Sequence, residues 1–132
     1  MIGVDTNVLV RLVVEENFEQ TALAISFFDA RSPASPAHIS LIVIAELAWV
    51  LGKTYKFGYD RVAAFIERLL ETSDIVVERS DIVKWALDQF NHAKIDFADL
   101  LIAEINRQAE CEATVTFDRN AAKRISGMDL LA

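Results

Sequence analysis

A chain of 132 residues is long enough to bury one hydrophobic core without disulfide or metal staples and short for a second, so residues 1–132 read as a single domain. Its formal net charge of −7 and pI near 4.7 exclude a protein that holds nucleic acid by bulk positive charge. The single Cys111 excludes an internal disulfide framework and a cysteine-rich zinc site, which suits a reducing, cytoplasmic setting.

In chain order, "IGV" reads as a short buried strand of a parallel sheet, and "DTN" as the turn that leads into a helix beginning at "NVLVRLVV". "FEQTALAISFFDAR" has helical apolar spacing, "SPASP" breaks it, and "AHI" is the next strand. Ser40 is placed to cap a helix over "LIVIAELAWVLGKTY", which is apolar on most sides and is expected to be buried. An amphipathic helix over "YDRVAAFIERLLE", a strand at "DIVV" and a helix over "SDIVKWALDQFNH" follow. "DFADLLIAEINRQA" is a helix with Asp96 as its cap, "ATVTF" a strand running to Asp118, and "GMDLL" a weak edge strand. Strands alternating with helices predict an α/β fold, a parallel sheet with helices on both faces. The start of the chain lacks a basic region and has its apolar residues interrupted by Asp5 and Arg11, while the run from Ile39 to Leu51 is too short for a bilayer and carries Glu46. Neither a signal peptide nor a membrane span is expected. The hydrophobic fraction of 53% and mean hydropathy of +0.27 point to a nearly closed core or an apolar surface kept for a partner.

Four acids sit where apolar runs would exclude them. Asp5 and Asp118 fall at strand ends, Asp99 in the first turn of a helix with Asp96 one turn earlier, and Glu46 is the only charge between Ile39 and Leu51. In parallel sheets the carboxyl ends of strands and the following helix starts form the ligand crevice, so Asp5, Asp99 and Asp118 can converge on one sheet edge. Carboxylates gathered without a cation repel and take up protons, whereas a divalent ion resolves the conflict. All-oxygen ligation without a Cys/His set selects Mg²⁺ or Mn²⁺, and the chemistry that follows is metal-assisted cleavage of a phosphodiester or phosphomonoester. A helix cap or a partner for Arg is the alternative for each acid taken singly.

The segments "VDTNVLV", "AELAWVL", "DFADLLIA" and "TFDR", in that order over essentially the whole chain, resemble the PIN-domain nucleases and most closely their VapC-type toxins. The resemblance implies a PIN-like three-layer fold with a central parallel sheet of four to five strands, and Asp5, Glu46, Asp99 and Asp118 as an acidic quartet that cleaves single-stranded or loop RNA. It places Mg²⁺ or Mn²⁺ on Asp5, Asp99 and Asp118, with Glu46 contributing directly or through water. Thr116 matches a position whose hydroxyl helps to orient the site, and Asp96 one where an accessory acid is common. A cognate antitoxin and a homodimer are the partners implied.

Other residues carry less. Asp96 fits a plain helix cap, and Thr6 and Asn7 most simply stabilise the first turn, although either could reach a metal-bound water. Arg11, Lys53, Lys94 and Arg119 are solvated surface charges taken singly and candidate phosphate contacts taken together. Trp49 and Trp85 read as core or interface aromatics, and His38 and His92 as surface or loop residues. The competing functions are an RNA-processing nuclease and a non-catalytic PIN-like scaffold. An aspartyl-phosphate phosphatase is disfavoured, since that chemistry commonly wants an acid two residues after the first Asp, where this chain has Asn7.

Overall fold

The computed structural model describes residues 1–92 and 95–132, and the apolar runs that mark strands in the sequence pair in parallel throughout them. β1 (Ile2–Gly3), β2 (Ala37–Ile39) and β3 (Ile75–Val77) form one sheet in the order β1-β2-β3, with Ile2 opposite Ala37 and Ala37 opposite Ile75. β4 (Thr114–Thr116) and β5 (Met128–Leu130) pair with each other, Thr114 opposite Met128. Among the described residues five parallel strands are thus present, divided by their hydrogen bonds into groups of three and two. β2 is the central strand, and its Ala37 and Ile39 are completely buried, as a strand paired on both sides requires. Gly127 stands before β5 at a φ of 90°, a conformation that disfavours any residue with a Cβ, and its carbonyl accepts from the Thr114 N–H at 2.7 Å.

Seven helices connect and cover the strands: α1 (Thr6–Val10), α2 (Phe18–Asp29), α3 (Leu41–Trp49), α4 (Tyr59–Glu71), α5 (Ser80–His92), α6 (Phe97–Gln108) and α7 (Arg119–Arg124). Ser40 caps α3 as its position predicts, accepting from the Val43 N–H at 3.2 Å, and Glu78 reaches over from the end of β3 to accept from the Leu41 N–H at 2.8 Å. The "SPASP" break is a tight turn held by Arg31, whose guanidinium donates to the Phe27 carbonyl and to Ser35. α7 is not apparent from the sequence, because "RNAAKR" has no apolar period.

Two expectations need correction. β1 is not buried: among the described residues it is an edge strand paired only with β2, Ile2 and Gly3 are exposed, and Val4 alone of "IGV" enters the core. α3 is not buried on all sides: Ile44, Leu47 and Ala48 face the core, but Ile42 is 80% exposed, Trp49 is 52% exposed, and Glu46 lies on the open side with them. High apolar content concealed a helix with one free face. Its last turn widens into a π-helical segment, Val50–Thr54, in which the Tyr55 N–H donates to the Val50 carbonyl at 3.2 Å.

α6 packs against α3 and α5, and α5 also packs against α4. Phe97, Leu100, Leu101 and Ala103 are buried along α6, and so is the charged Glu104, 4% exposed. Arg107 holds it with two hydrogen bonds of 2.9 and 2.6 Å, and Gln108 Nε2 donates a third at 3.1 Å. The Arg107 hydrogen bonds outweigh burial and keep the Glu104 carboxyl below the ordinary carboxylate range. A lowered folded-state value means stability that is present above the unfolded value and lost as pH falls through the folded one. Glu104→Gln is expected to cost about 1 kcal/mol near neutral pH, with the difference from wild type closing under acid conditions. Urea melts across that range would show the closure; a difference independent of pH would remove the ion pair from the stability of α6.

Candidate active site

Three acids share one cavity. Asp96, Asp99 and Asp118 line a cavity of about 340 Å³ whose other walls include Trp49, Lys53, Tyr59 and Asn120. Aromatic residues back it: Phe90 meets Tyr59 edge to face at a centroid distance of 4.9 Å and Phe97 at 5.3 Å, and all three rings line the same space. Each acid is fixed by the element that carries it. Asp96 caps α6, its Oδ1 accepting from the Ala98 N–H at 2.9 Å, as the capping reading predicts. Asp118 caps α7, its Oδ1 accepting from the Ala121 N–H at 2.9 Å, while the Thr116 hydroxyl accepts from the Asp118 N–H at 3.0 Å and fixes the turn leaving β4. Asp99, in the first turn of α6, is half-buried. Burial raises its carboxyl above the ordinary aspartate range, and repulsion from Asp96 and then Asp118 adds to the effect.

Of the remaining candidates among the described residues, Lys53 shares this cavity and the others do not line it. Asp5 caps α1 by accepting from the Thr6 N–H at 2.8 Å, and it lines a second cavity of about 480 Å³ with Asn7, Arg11, Gln20 and Phe27. Thr6 is 4% exposed, and its Oγ1 has no hydrogen-bond partner among the described residues. Glu46 is exposed on α3 and lines neither cavity. Arg11 is engaged internally: its Nε donates to Gln20 at 2.8 Å and its Nη1 lies 3.5 Å from Glu16. Lys53 is exposed and, among the described residues, is the only cation lining the cavity of the three acids. Arg119 is exposed at the first position of α7, and Lys94 lies outside the described residues. Among the described residues, no group of three His, Cys, Asp or Glu side chains is close enough together to hold a metal ion.

The sequence does not single out Trp49, Gly52 or Tyr59 as lining residues. The available signal is spacing: Trp49 stands three residues after Glu46 and four before Lys53, the separation of neighbours on one helix face. An all-apolar helix reading assigns that face to the core and hides the signal.

Compared with known proteins, residues 2–127 match the sequence model of the family described as the PIN domain. No curated protein matches the chain. Among solved structures it is similar to VapC20 of Mycobacterium tuberculosis, described as a sarcin-ricin loop cleaving toxin, at 15% identity and a TM-score of 0.46 over 93% of this chain and 94% of that one.

Two outcomes follow from this geometry. Because the raised Asp99 value makes ionisation unfavourable, its contribution to stability is full below the unfolded aspartate value and is lost as pH rises through the folded one. Asp99→Asn is therefore expected to be as stable as wild type or more so at neutral pH, and Asp118→Asn to bring the Asp99 titration, followed by carboxyl NMR, back toward the ordinary range. An unmoved Asp99 titration would show that Asp118 does not act on it. Glu46→Gln, on an exposed face, is expected to shift stability by no more than about 0.5 kcal/mol; a larger loss in a denaturant melt would give Glu46 a structural partner.

Proposed function

Because the chain belongs to the PIN domain family, we propose that it is a metal-dependent endoribonuclease cleaving RNA phosphodiester bonds, the toxin of a toxin-antitoxin pair that a cognate antitoxin holds inactive in the cytoplasm. The observation that carries the reading is the half-buried Asp99, set beside Asp96 and Asp118 with its carboxyl raised. Carboxylates in this state have unmet demand for positive charge, and an all-oxygen donor set suits Mg²⁺ or Mn²⁺. The donor chemistry fits such an ion.

In this reading Asp99 and Asp118 would hold the cation together with Asp5, whose carboxylate lines the other cavity, and Glu46 would contribute directly or through water. The chemistry a bound ion supplies is neutralisation of charge at the scissile phosphate and acidification of an attacking water. The protein's own groups do the rest. Asp99 would meet the ion as a carboxylate, its proton passing to solvent. Thr116 holds the backbone from which Asp118 projects, and Asp96 keeps the start of α6 in register through its cap. Lys53, which lines the same cavity, would take an RNA phosphate, and Arg11, Lys94 and Arg119 are further candidates for the same task. Thr6 and Asn7 shape the turn around Asp5. A homodimer is the assembly this reading carries, and no described helix is long and apolar enough to cross a membrane.

Purified protein is expected to cut RNA, to stop in EDTA and to resume with Mn²⁺. Asp99→Asn and Asp118→Asn should remain folded, lose the metal-induced rise in Tm and fall in cleavage rate by about 10²-fold or more. Cleavage that persists in EDTA would overturn the metal reading. Expression without the antitoxin should arrest growth for wild type and not for Asp99→Asn; an active enzyme that leaves growth untouched would be an RNA-processing nuclease instead.

A further inference from the structure

We propose that Trp49 is a stacking platform for one unpaired RNA base at the mouth of the cavity lined by Asp96, Asp99 and Asp118, with Lys53 binding an adjoining phosphate. The inference rests on the ribonuclease reading above and adds to it a residue that selects single-stranded substrate.

Tryptophan offers the largest apolar face of any side chain, and folds ordinarily hide most of it. Here 52% of Trp49 is left open, on a helix whose opposite side is fully packed into the core. The residue lines the same cavity as the acids and as Lys53, so an open aromatic face, a cation and the candidate reacting centre lie around one space. Gly52 stands between Trp49 and Lys53 in the π-helical turn and also lines the cavity. A Cβ added there meets nothing within 4 Å, and the position does not have the positive φ that asks for glycine. Glycine within a helical segment lowers stability relative to alanine, so neither packing nor backbone geometry explains it. Its effect is to leave the wall bare between the aromatic face and the lysine.

The chemistry of the walls decides between occupants. Asp96, Asp99 and Asp118 repel the phosphates of an RNA strand, and among the described lining residues only Lys53 attracts them. The neutral, planar part of the ligand is its base, and stacking on an aromatic face is insensitive both to the charge around it and to base identity. An apolar side chain from a protein partner would instead want walls free of charge, since charged residues are depleted from the buried core of an interface, and three acids line this cavity.

Binding is read first without cleavage, by fluorescence anisotropy of a short labelled single-stranded RNA in EDTA at low salt, and cleavage separately in Mn²⁺. Loss of one stacked base corresponds to a weakening of about 5- to 150-fold, so Trp49→Ala should weaken binding by that factor. Trp49→Phe should restore most of it, and an abasic oligonucleotide or a duplex should bind wild type no better than the intact strand binds Trp49→Ala. Gly52→Leu should melt at or above the wild-type temperature yet bind weakly, which separates an occluded cavity from a failure to fold. In Mn²⁺, Trp49→Ala should raise KM by the factor seen in binding and change kcat less. Wild type that binds the single strand through Trp49 but never cleaves it would sink the nuclease reading and keep the platform. Equal binding by wild type and Trp49→Ala, no wild-type binding at all, failure of Trp49→Phe to rescue, or a Trp49→Ala defect confined to a protein partner would each overturn the platform.

Discussion

The rotation of α6 about its own axis is the constraint on which the site depends. Successive residues of a helix are turned by about 100°, so burying Phe97, Leu100, Leu101 and Ala103 against α3 and α5 leaves Asp99 no freedom to choose its direction. Each large apolar side chain in that stripe contributes about 1.5–3 kcal/mol by burial, which outweighs the cost of half-burying one carboxyl. The core wins, and Asp99 is held at the edge of the buried stripe with its proton bound more tightly than usual. Glu104, on the same helix, shows the other outcome of burying an acid. With Arg107 and Gln108 on it, its carboxyl is pulled down, where that of Asp99, half-buried and repelled by Asp96 and Asp118, is pushed up.

In the ribonuclease reading proposed above, that contrast bears on how an acidic protein would be fitted to an anionic polymer. A net charge of −7 gives no long-range attraction for RNA, and the cavity acids make the local repulsion worse. Attraction would then come from short-range terms: a cation drawn to Asp99 and its neighbours, Lys53, and an aromatic face whose stacking does not depend on net charge. Each would act only on a strand that has already entered the cavity, which favours specificity of placement over speed of encounter.

Much of the architecture is legible in the sequence because local signals agree with the fold. The strands "AHI" and "DIVV" are short apolar runs bounded by breakers, and Ser40 and Asp96 announce the helices that they cap. The parts that are not legible depend on what lies across space. Nothing in "LIVIAELAWVL" tells which side of the helix the core will take, so the open face carrying Ile42, Glu46 and Trp49 emerges only with the packing of Ile44 and Leu47. The π-helical turn is a matter of which carbonyl a single N–H chooses, and no residue pattern announces it. The acids follow the same division. That Asp99 and Asp118 lie close can be reasoned from strand ends and helix starts, whereas the placing of Asp5 in a separate cavity and of Glu46 outside both depends on how α1 and α3 sit, which spacing does not encode.

Capping alone does not account for the choice of acids. Asp, Asn and Ser are about equally good at accepting the free N–H groups of a helix start, and the chain uses the neutral ones where nothing further is asked: Asn17 caps α2 and Ser40 caps α3. Aspartate caps α1, α6 and α7, and each of these three carboxylates lines one of the two cavities, whereas Asn17 and Ser40 line neither. The attraction between a carboxylate and the helix dipole is small at an exposed start, and at Asp96 and Asp118 it is set against mutual repulsion with Asp99. If stability were the only demand, asparagine at these two positions would keep the cap and remove the repulsion. The negative charge is therefore kept at some cost to the fold, and in the metal-dependent reading proposed above a bound cation would turn that cost into binding.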